Sequence, residues 1–153
     1  MKALDATFER AAVYMARKLW PKGYDIMPDH YPSIDALLAD YSARGRIGVW
    51  SGASDRTVFS CPEANYAFRA WHDWHHILLR APFDRKGEEA VHISQMAEAG
   101  KYARWIDATF DQRQFTMLAA ENIGQLDYWE RFGAPPDDQR LFACGYLAAR
   151  GLL

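Results

Sequence analysis

Apolar residues at helical spacing, interrupted by proline and glycine, constrain the fold of this chain most. In residues 4–20, every third or fourth position is apolar, which predicts an amphipathic helix that Pro21 and Gly23 end. Ser33 is placed to cap a short helix that Gly45 closes. Ser60-x-x-Glu63 has the form of a capping box, with Pro62 in the first turn of the helix that follows.

The rest of the chain continues this pattern. The predicted helices are 4–20, 34–44, 60–80, 85–106 with Asp84 as its cap, 110–131 ending at Gly133, and a last helix over 137–151. Residues 45–59 contain several glycines and β-forming residues, which predict an irregular loop or at most a small hairpin. The sequence predicts an all-α, single-domain bundle of five or six helices over residues 1–153.

Charge and composition argue against several classes of function. The formal net charge is −2, and the basic residues are scattered, so nucleic-acid binding is not expected. No apolar run is long enough to span a membrane, and the first residues do not resemble a secretory signal. The two cysteines lie far apart in sequence, which favours free thiols and a cytoplasmic protein.

Four of the five histidines lie between residues 72 and 92, close to several acids. His72 and His76 are one helical turn apart and share a face with apolar residues. Glu88 and His92 repeat this spacing on the next helix. Glu89 is also spaced to pair with His92, in the Glu-x-x-His arrangement of carboxylate-bridged metal sites. Glu88 is the preferred ligand, because Glu89 projects toward a different side of the helix.

The helix 110–131 adds a third contribution, because Glu121 lies on an inward stripe with Gln125 one turn later. A carboxylate is costly to bury unless it is paired or bound to a metal. The predicted ligands are His72, His76, Glu88, His92 and Glu121. Imidazole and carboxylate ligands suit Fe, Mn or Zn, and this set is sufficient for one ion or for two.

Several other side chains are candidates for supporting roles or for none. Asp73 is a candidate to orient an imidazole or to face solvent, and a salt bridge with Arg69 competes for Glu121. His30 lies in a proline-rich loop and is expected to be exposed. The supporting set is Asp73, Gln125, Asn65, His75 and Glu89. The alternative to a metal site is a buried His–Glu hydrogen-bond network.

The segments FRAWHDWHH, GEEAVH and ENIGQLDYWERFG together form the pattern R-x-x-H-D-x-x-H, then G-E, then E-x-x-G-Q. This pattern resembles a family of small uncharacterised proteins from bacterial and phage genomes, over about residues 45–145. The resemblance implies no reaction, and its matching positions are His72, Asp73, His76, Glu88, Glu121 and Gln125. Partial resemblances connect Glu89-x-x-His92 to ferritin-like di-iron carboxylate bundles, and His72-Asp73 to HD-domain metalloproteins.

Two functional hypotheses follow from these residues. The first is a metal-dependent enzyme acting on a small molecule, a hydrolase with Zn or Mn or an oxidase with Fe. The second is a non-catalytic structural or interaction domain, for instance a phage-associated one. The aromatic N- and C-terminal helices also offer faces through which a homodimer could form.

Overall fold

The computed structural model describes residues 2–102 and 110–153, and most of them are helical. The helices are α1 (Ala6–Leu19), α2 (Ile34–Arg44), α3 (Pro62–Leu79), α4 (Arg85–Tyr102), α5 (Gln112–Ala119), α6 (Gln125–Phe132) and α7 (Gln139–Ala148). A π-helical turn, Ala120–Gly124, joins α5 to α6 without a break. Counting that run once, the described residues contain six helices, which confirms the all-α prediction. The expected continuation of the fourth helix to residue 106 lies outside the described residues.

Helix α3 lies between two hydrophobic clusters and is packed on both sides. One hydrophobic cluster, which includes Phe8, Phe59 and Trp71, lies on one side of it. A second cluster, with Trp20 and Leu37, lies on the other. Small buried alanines on α3 allow this close packing, and the indole of Trp20 donates to the Ala70 carbonyl across 2.9 Å. The helix that carries the paired histidines is therefore packed on both sides.

Two short strands, β1 (Asp25–Met27) and β2 (Gly48–Trp50), form a parallel pair, with Ile26 opposite Val49. Residues 51–59 are irregular, as predicted for 45–59, whereas residues 48–50 form β2 and do not belong to a hairpin. The partner of β2 lies before α2, and a helical crossover brings two strands together in parallel. The caps of α2 are as predicted, since Ser33 accepts from the backbone of the helix and Gly45 adopts a φ of 66°.

The predicted capping box at the start of α3 is also wrong. Cys61 is the N-cap and makes no side-chain capping bond. Ser60 instead donates its backbone N–H and its hydroxyl to the Glu9 carboxylate, across 2.6 and 2.9 Å. A charged acceptor from α1 makes stronger hydrogen bonds than a local neutral cap, and Glu63 remains exposed.

The turn after α3 folds back on the helix. Arg80 has a φ of 52°, in the left-handed region, and the Ala81 N–H donates to the His76 carbonyl across 3.0 Å. This left-handed ending is a common helix terminus and directs the chain straight into α4.

The first turn of α4 lies unusually close to that connection. A Cβ on Gly87 would lie 1.9 Å from the Pro82 carbonyl oxygen, so only glycine fits. Asp84 caps the helix as predicted, by accepting from the Gly87 N–H across 2.9 Å. The close approach brings Glu88, the next residue, up against α3.

Neither Cys61 nor Cys144 is in a disulfide. Within the described ranges, no helix is both long and apolar enough to cross a membrane.

We expect Glu9→Ala to lower the free energy of unfolding by about 1–3 kcal/mol, because it leaves the Ser60 donors without this carboxylate. Glu63→Ala removes an exposed charge near the same helix terminus and is the matched control, with a smaller loss expected. Urea unfolding monitored by circular dichroism measures both. A larger loss in Glu63→Ala would restore the capping-box interpretation.

Candidate metal centre

Two histidines of α3 and one glutamate of α4 meet at a single point. His72 and His76 are one turn apart, and their Nε2 atoms lie 3.1 Å from each other. The Glu88 carboxylate faces both, with one oxygen 3.1 Å from His72 Nε2 and the other 3.3 Å from His76 Nε2. One ligand atom from each residue lies within 4.8 Å of the other two.

The outer nitrogens of both rings are held by oxygen acceptors. His76 Nδ1 lies 2.9 Å from the Ala81 carbonyl oxygen. A carbonyl only accepts, so Nδ1 carries a proton and donates it. His72 Nδ1 lies 3.3 Å from the Gln95 side-chain oxygen and donates to it in the same way. In the neutral rings, both Nε2 lone pairs therefore point toward the shared space beside Glu88.

This arrangement requires a positive charge at its centre. Two imidazole lone pairs 3.1 Å apart and a carboxylate repel one another unless a proton or a metal ion lies between them. Burial lowers the pKa of His72, but the charge and hydrogen bond of Glu88 outweigh it and the net shift is upward. Burial raises the pKa of Glu88, and His72 and His76 more than reverse that shift.

The nearest separations in this group are close to those in a metal site. Ligands about 2.0–2.1 Å from a tetrahedral ion stand roughly 3.3 Å from one another. The two Nε2 atoms are 3.1 Å apart, and each lies 3.1–3.3 Å from its nearer Glu88 oxygen. The Nδ1–H bonds to Ala81 and Gln95 also resemble the outer hydrogen bonds that orient metal-bound histidines. The side chain of His76 is 1% exposed, whereas those of His72 and Glu88 are 17% and 18% exposed. The site is therefore buried on one side and accessible on the other.

A cleft of about 350 Å³ opens onto the accessible side. Trp50 and Phe83 form apolar walls, and His30, exposed as expected, lies at the edge of the cleft. Asp73 also lines it, and within the described residues its carboxylate has no hydrogen-bond partner. Burial raises the pKa of Asp73, against the opposing charges of His72 and His76. Asp73 therefore faces the same cleft as the histidines.

Arg69 lines this cleft one turn before His72. Its Nη1 donates to the carbonyl oxygens of Trp50 and Gly52, across 2.6 and 2.7 Å, and more weakly to Ser54. The guanidinium also lies over the Trp50 ring, 4.7 Å from its centre. Among the described residues it forms no ion pair, and burial lowers its pKa.

His92 and Glu121, the two other predicted ligands, lie outside the three-residue group. His92 is near Asn122, with 3.4 Å between the amide nitrogen and Nδ1, and burial, followed by the charge of His72, lowers its pKa. Glu121 is 8% exposed and accepts one hydrogen bond, from Gln125, across 2.9 Å. Burial raises the pKa of Glu121 to about 8, against the opposing effects of Arg69 and Gln125. No ion pair joins Glu121 to Arg69 in the described residues.

The remaining predicted supporting residues are distributed differently. Glu89 points away from the histidines and pairs with Arg85 on the surface. Asn65 is buried and donates to Ser54 across 3.0 Å. With Gln125 and Glu121, Asn65 lines a smaller cavity of about 140 Å³ that His72 and Glu88 also border.

His75 belongs to a separate polar network between α3 and α4. Its Nε2 lies 2.9 Å from Glu98, and its Nδ1 lies 2.8 Å from the Ser94 hydroxyl. The indole of Trp71 donates to the same Glu98 oxygen across 2.8 Å. This network joins the two helices at a place separate from the cleft, since none of its four residues lines the cavities that His72 borders.

The structure adds residues that the candidate set did not contain. Gln95 holds His72, and Asn122 donates to that same Gln95 oxygen across 2.9 Å. Gln95 lies two turns after Glu88 on the same face, so helical spacing contains a signal for it. Asn122 lies in the π-helical turn, and Ala81 acts through its backbone, so neither has a comparable signal in the sequence.

Comparisons with family models, with curated proteins and with solved structures find no match to this chain. The function is therefore inferred from the site itself.

The stability of the protein should depend on pH through Glu98. Burial raises the pKa of Glu98, but the hydrogen bonds from His75 and Trp71 outweigh it and hold the pKa below its ordinary value of 4.5. The folded state then binds fewer protons than the unfolded state, so this contribution is present above the ordinary value and is lost as the pH falls through the folded one.

We expect the difference in unfolding free energy between wild type and Glu98→Gln to be constant near neutral pH and to shrink as the pH falls below the ordinary value of 4.5. Urea unfolding at a series of pH values measures it. A difference that does not change over that acid range would contradict the assigned network.

Proposed function

We propose that this chain is a metal-dependent hydrolase, with a divalent metal ion bound by His72, His76 and Glu88. The observation that supports it most is the orientation of the two histidines. Their Nδ1 atoms face oxygen acceptors, and their Nε2 atoms converge 3.1 Å apart beside a carboxylate. Two histidines and a glutamate are a known ligand set of catalytic zinc sites, which leave a further position open.

A bound metal ion would supply a Lewis acid and lower the pKa of a water molecule that it holds. The residues of the chain supply the rest of the chemistry. His76 is fixed by the Ala81 carbonyl and His72 by Gln95, so the ligand set is preorganised. The exposed edge of the site faces the cleft, where a substrate has access.

Asp73 is the candidate general base. It follows the first histidine directly, as the glutamate does in the His-Glu-x-x-His arrangement of metalloproteases. It lines the cleft with both histidines. In hydrolysis of an ester or amide, the water oxygen bonds to the carbonyl carbon and the bond to the leaving group breaks. Asp73 takes the proton from the water and returns it to the leaving group.

Two other functions remain as outcomes of the tests. Two histidines and one carboxylate also bind Fe(II) in oxygenases, so iron as the native metal would favour an oxidation. Complete absence of metal binding would favour the non-catalytic structural or interaction domain. The position of Asp73 in the cleft is what favours hydrolysis over both.

Elemental analysis of protein purified without an affinity tag tests the metal site. We expect near-stoichiometric Zn or Mn in the wild type and background levels in His72→Ala, His76→Ala and Glu88→Ala. His92→Ala and His75→Ala are matched controls that remove a histidine outside the group, and both should retain the metal. Circular dichroism confirms that each variant is folded.

Metal-free wild type that also fails to bind added Zn or Mn would overturn the proposal. Loss of metal in folded His92→Ala would contradict the three-residue ligand set. Stoichiometric iron would replace the hydrolase with an oxidase.

Asp73→Asn should retain the metal and lose activity. We expect kcat/KM for p-nitrophenyl acetate to fall by about 100-fold, the usual contribution of a general base. Glu89→Gln, which removes an exposed carboxylate from α4, is the control and should remain fully active. Wild-type rates in Asp73→Asn would exclude the assigned role, and loss of the metal would make Asp73 a ligand instead.

A further inference from the structure

Arg69 is a partly buried cation whose charge the described residues leave without an ion-pair partner. Burying a charge costs free energy unless a counter-charge or hydrogen bonds replace the lost water. Asp73 and Glu121 act on Arg69 electrostatically, but neither forms an ion pair with it. Burial raises the pKa of Glu121 to about 8, so at neutral pH its carboxyl is mostly uncharged and does not balance Arg69.

The guanidinium is nevertheless held in a fixed orientation. All of its hydrogen bonds to described residues come from Nη1, which donates to Trp50, Gly52 and Ser54. The Trp50 ring lies against its face. These contacts leave the edge formed by Nε and Nη2 without an acceptor in the described part of the chain. That edge has the geometry that binds a carboxylate with two parallel hydrogen bonds.

Arg69 lines the same cavities as the metal ligands. Arg69, His72 and Glu88 line three adjoining cavities: the cleft, the 140 Å³ cavity beside Glu121, and a third of about 310 Å³ bordered by Trp129 and Leu126. Arg69 therefore lies where these cavities meet, beside the metal centre. Apolar side chains around this point suit the remainder of a ligand whose charged end pairs with Arg69.

We propose that Arg69 binds a carboxylate group of the substrate, so that the hydrolase acts on a small carboxylate-bearing ester or amide. The anion supplies the ion-pair partner that the partly buried guanidinium lacks, and its two parallel hydrogen bonds with the guanidinium fix the position of the substrate beside His72 and Glu88. The role of Arg69 as a substrate anchor rests on the proposed function, whereas carboxylate binding by Arg69 does not require the metal.

Three ligands of nearly identical shape and different charge test the inference: benzoate, benzamide and benzylamine. We expect wild type to bind benzoate about tenfold more tightly than benzamide, and benzylamine most weakly, in NMR titrations at neutral pH. The titrations are made on protein as purified and again after dialysis against EDTA. Because a carboxylate can also bind a metal ion, the preference must persist after EDTA.

Variants identify the residue responsible. Arg69→Lys retains the positive charge but loses the pair of parallel N–H donors, so the preference for benzoate should fall. Arg69→Met removes both the charge and the donors, so the preference should disappear. Arg85→Met is the matched control, since the Arg85 guanidinium is already paired with Asp127 and Glu130 on the surface. If the Arg69 variants do not fold, the ranking of the three ligands on metal-free wild type decides alone.

Equal binding of the three ligands by metal-free wild type would overturn the inference, as would tighter binding of benzylamine. So would unchanged benzoate preference in a folded Arg69→Met. A preference that exists only before EDTA would assign the carboxylate to the metal and not to Arg69. Absence of metal with benzoate preference intact would reject the hydrolase and leave the carboxylate site standing.

Discussion

His72, His76 and Glu88 meet where most water is excluded, and their charges have to be balanced there. The two helices that carry them are joined by several contacts on either side of the site. The packing of α3 between two hydrophobic clusters holds the histidines, and the close approach at Gly87 brings Glu88 to them. Away from the cleft, the network of His75, Glu98 and Ser94 joins the same pair of helices.

The polar groups around the site are arranged in a sequence of contacts. Asn122, in the π-helical turn, donates to Gln95, and Gln95 accepts from His72. A π-helical turn rotates the residues that follow it, and such turns are frequent at functional sites. In this chain the turn also contains Glu121, whose Oε1 is buried without a partner in the described residues. Such an atom costs stability, which is typical of a site arranged for binding rather than for packing.

The helices and the central pair of histidines could be predicted because helical spacing is a local property. His72, His76 and Glu88 were correctly placed on facing surfaces by counting residues per turn. The capping box failed because Glu9, remote in sequence, competes for Ser60. The parallel pairing of β1 with β2 could not be predicted, because the spacing of residues does not show which segment lies beside residues 48–50. The place of His75 outside the metal site could not be predicted either, because it depends on which side chains of α4 lie beside His75.

The acceptor that orients His76 is the main-chain oxygen of Ala81. A side-chain acceptor is lost by a single substitution, but every amino acid supplies this carbonyl. The tautomer of His76 is thus insensitive to the identity of residue 81 and sensitive to the path of the chain between α3 and α4. Over evolution, insertions or deletions in residues 80–84 should be rarer than substitutions there, because they alone would remove the acceptor.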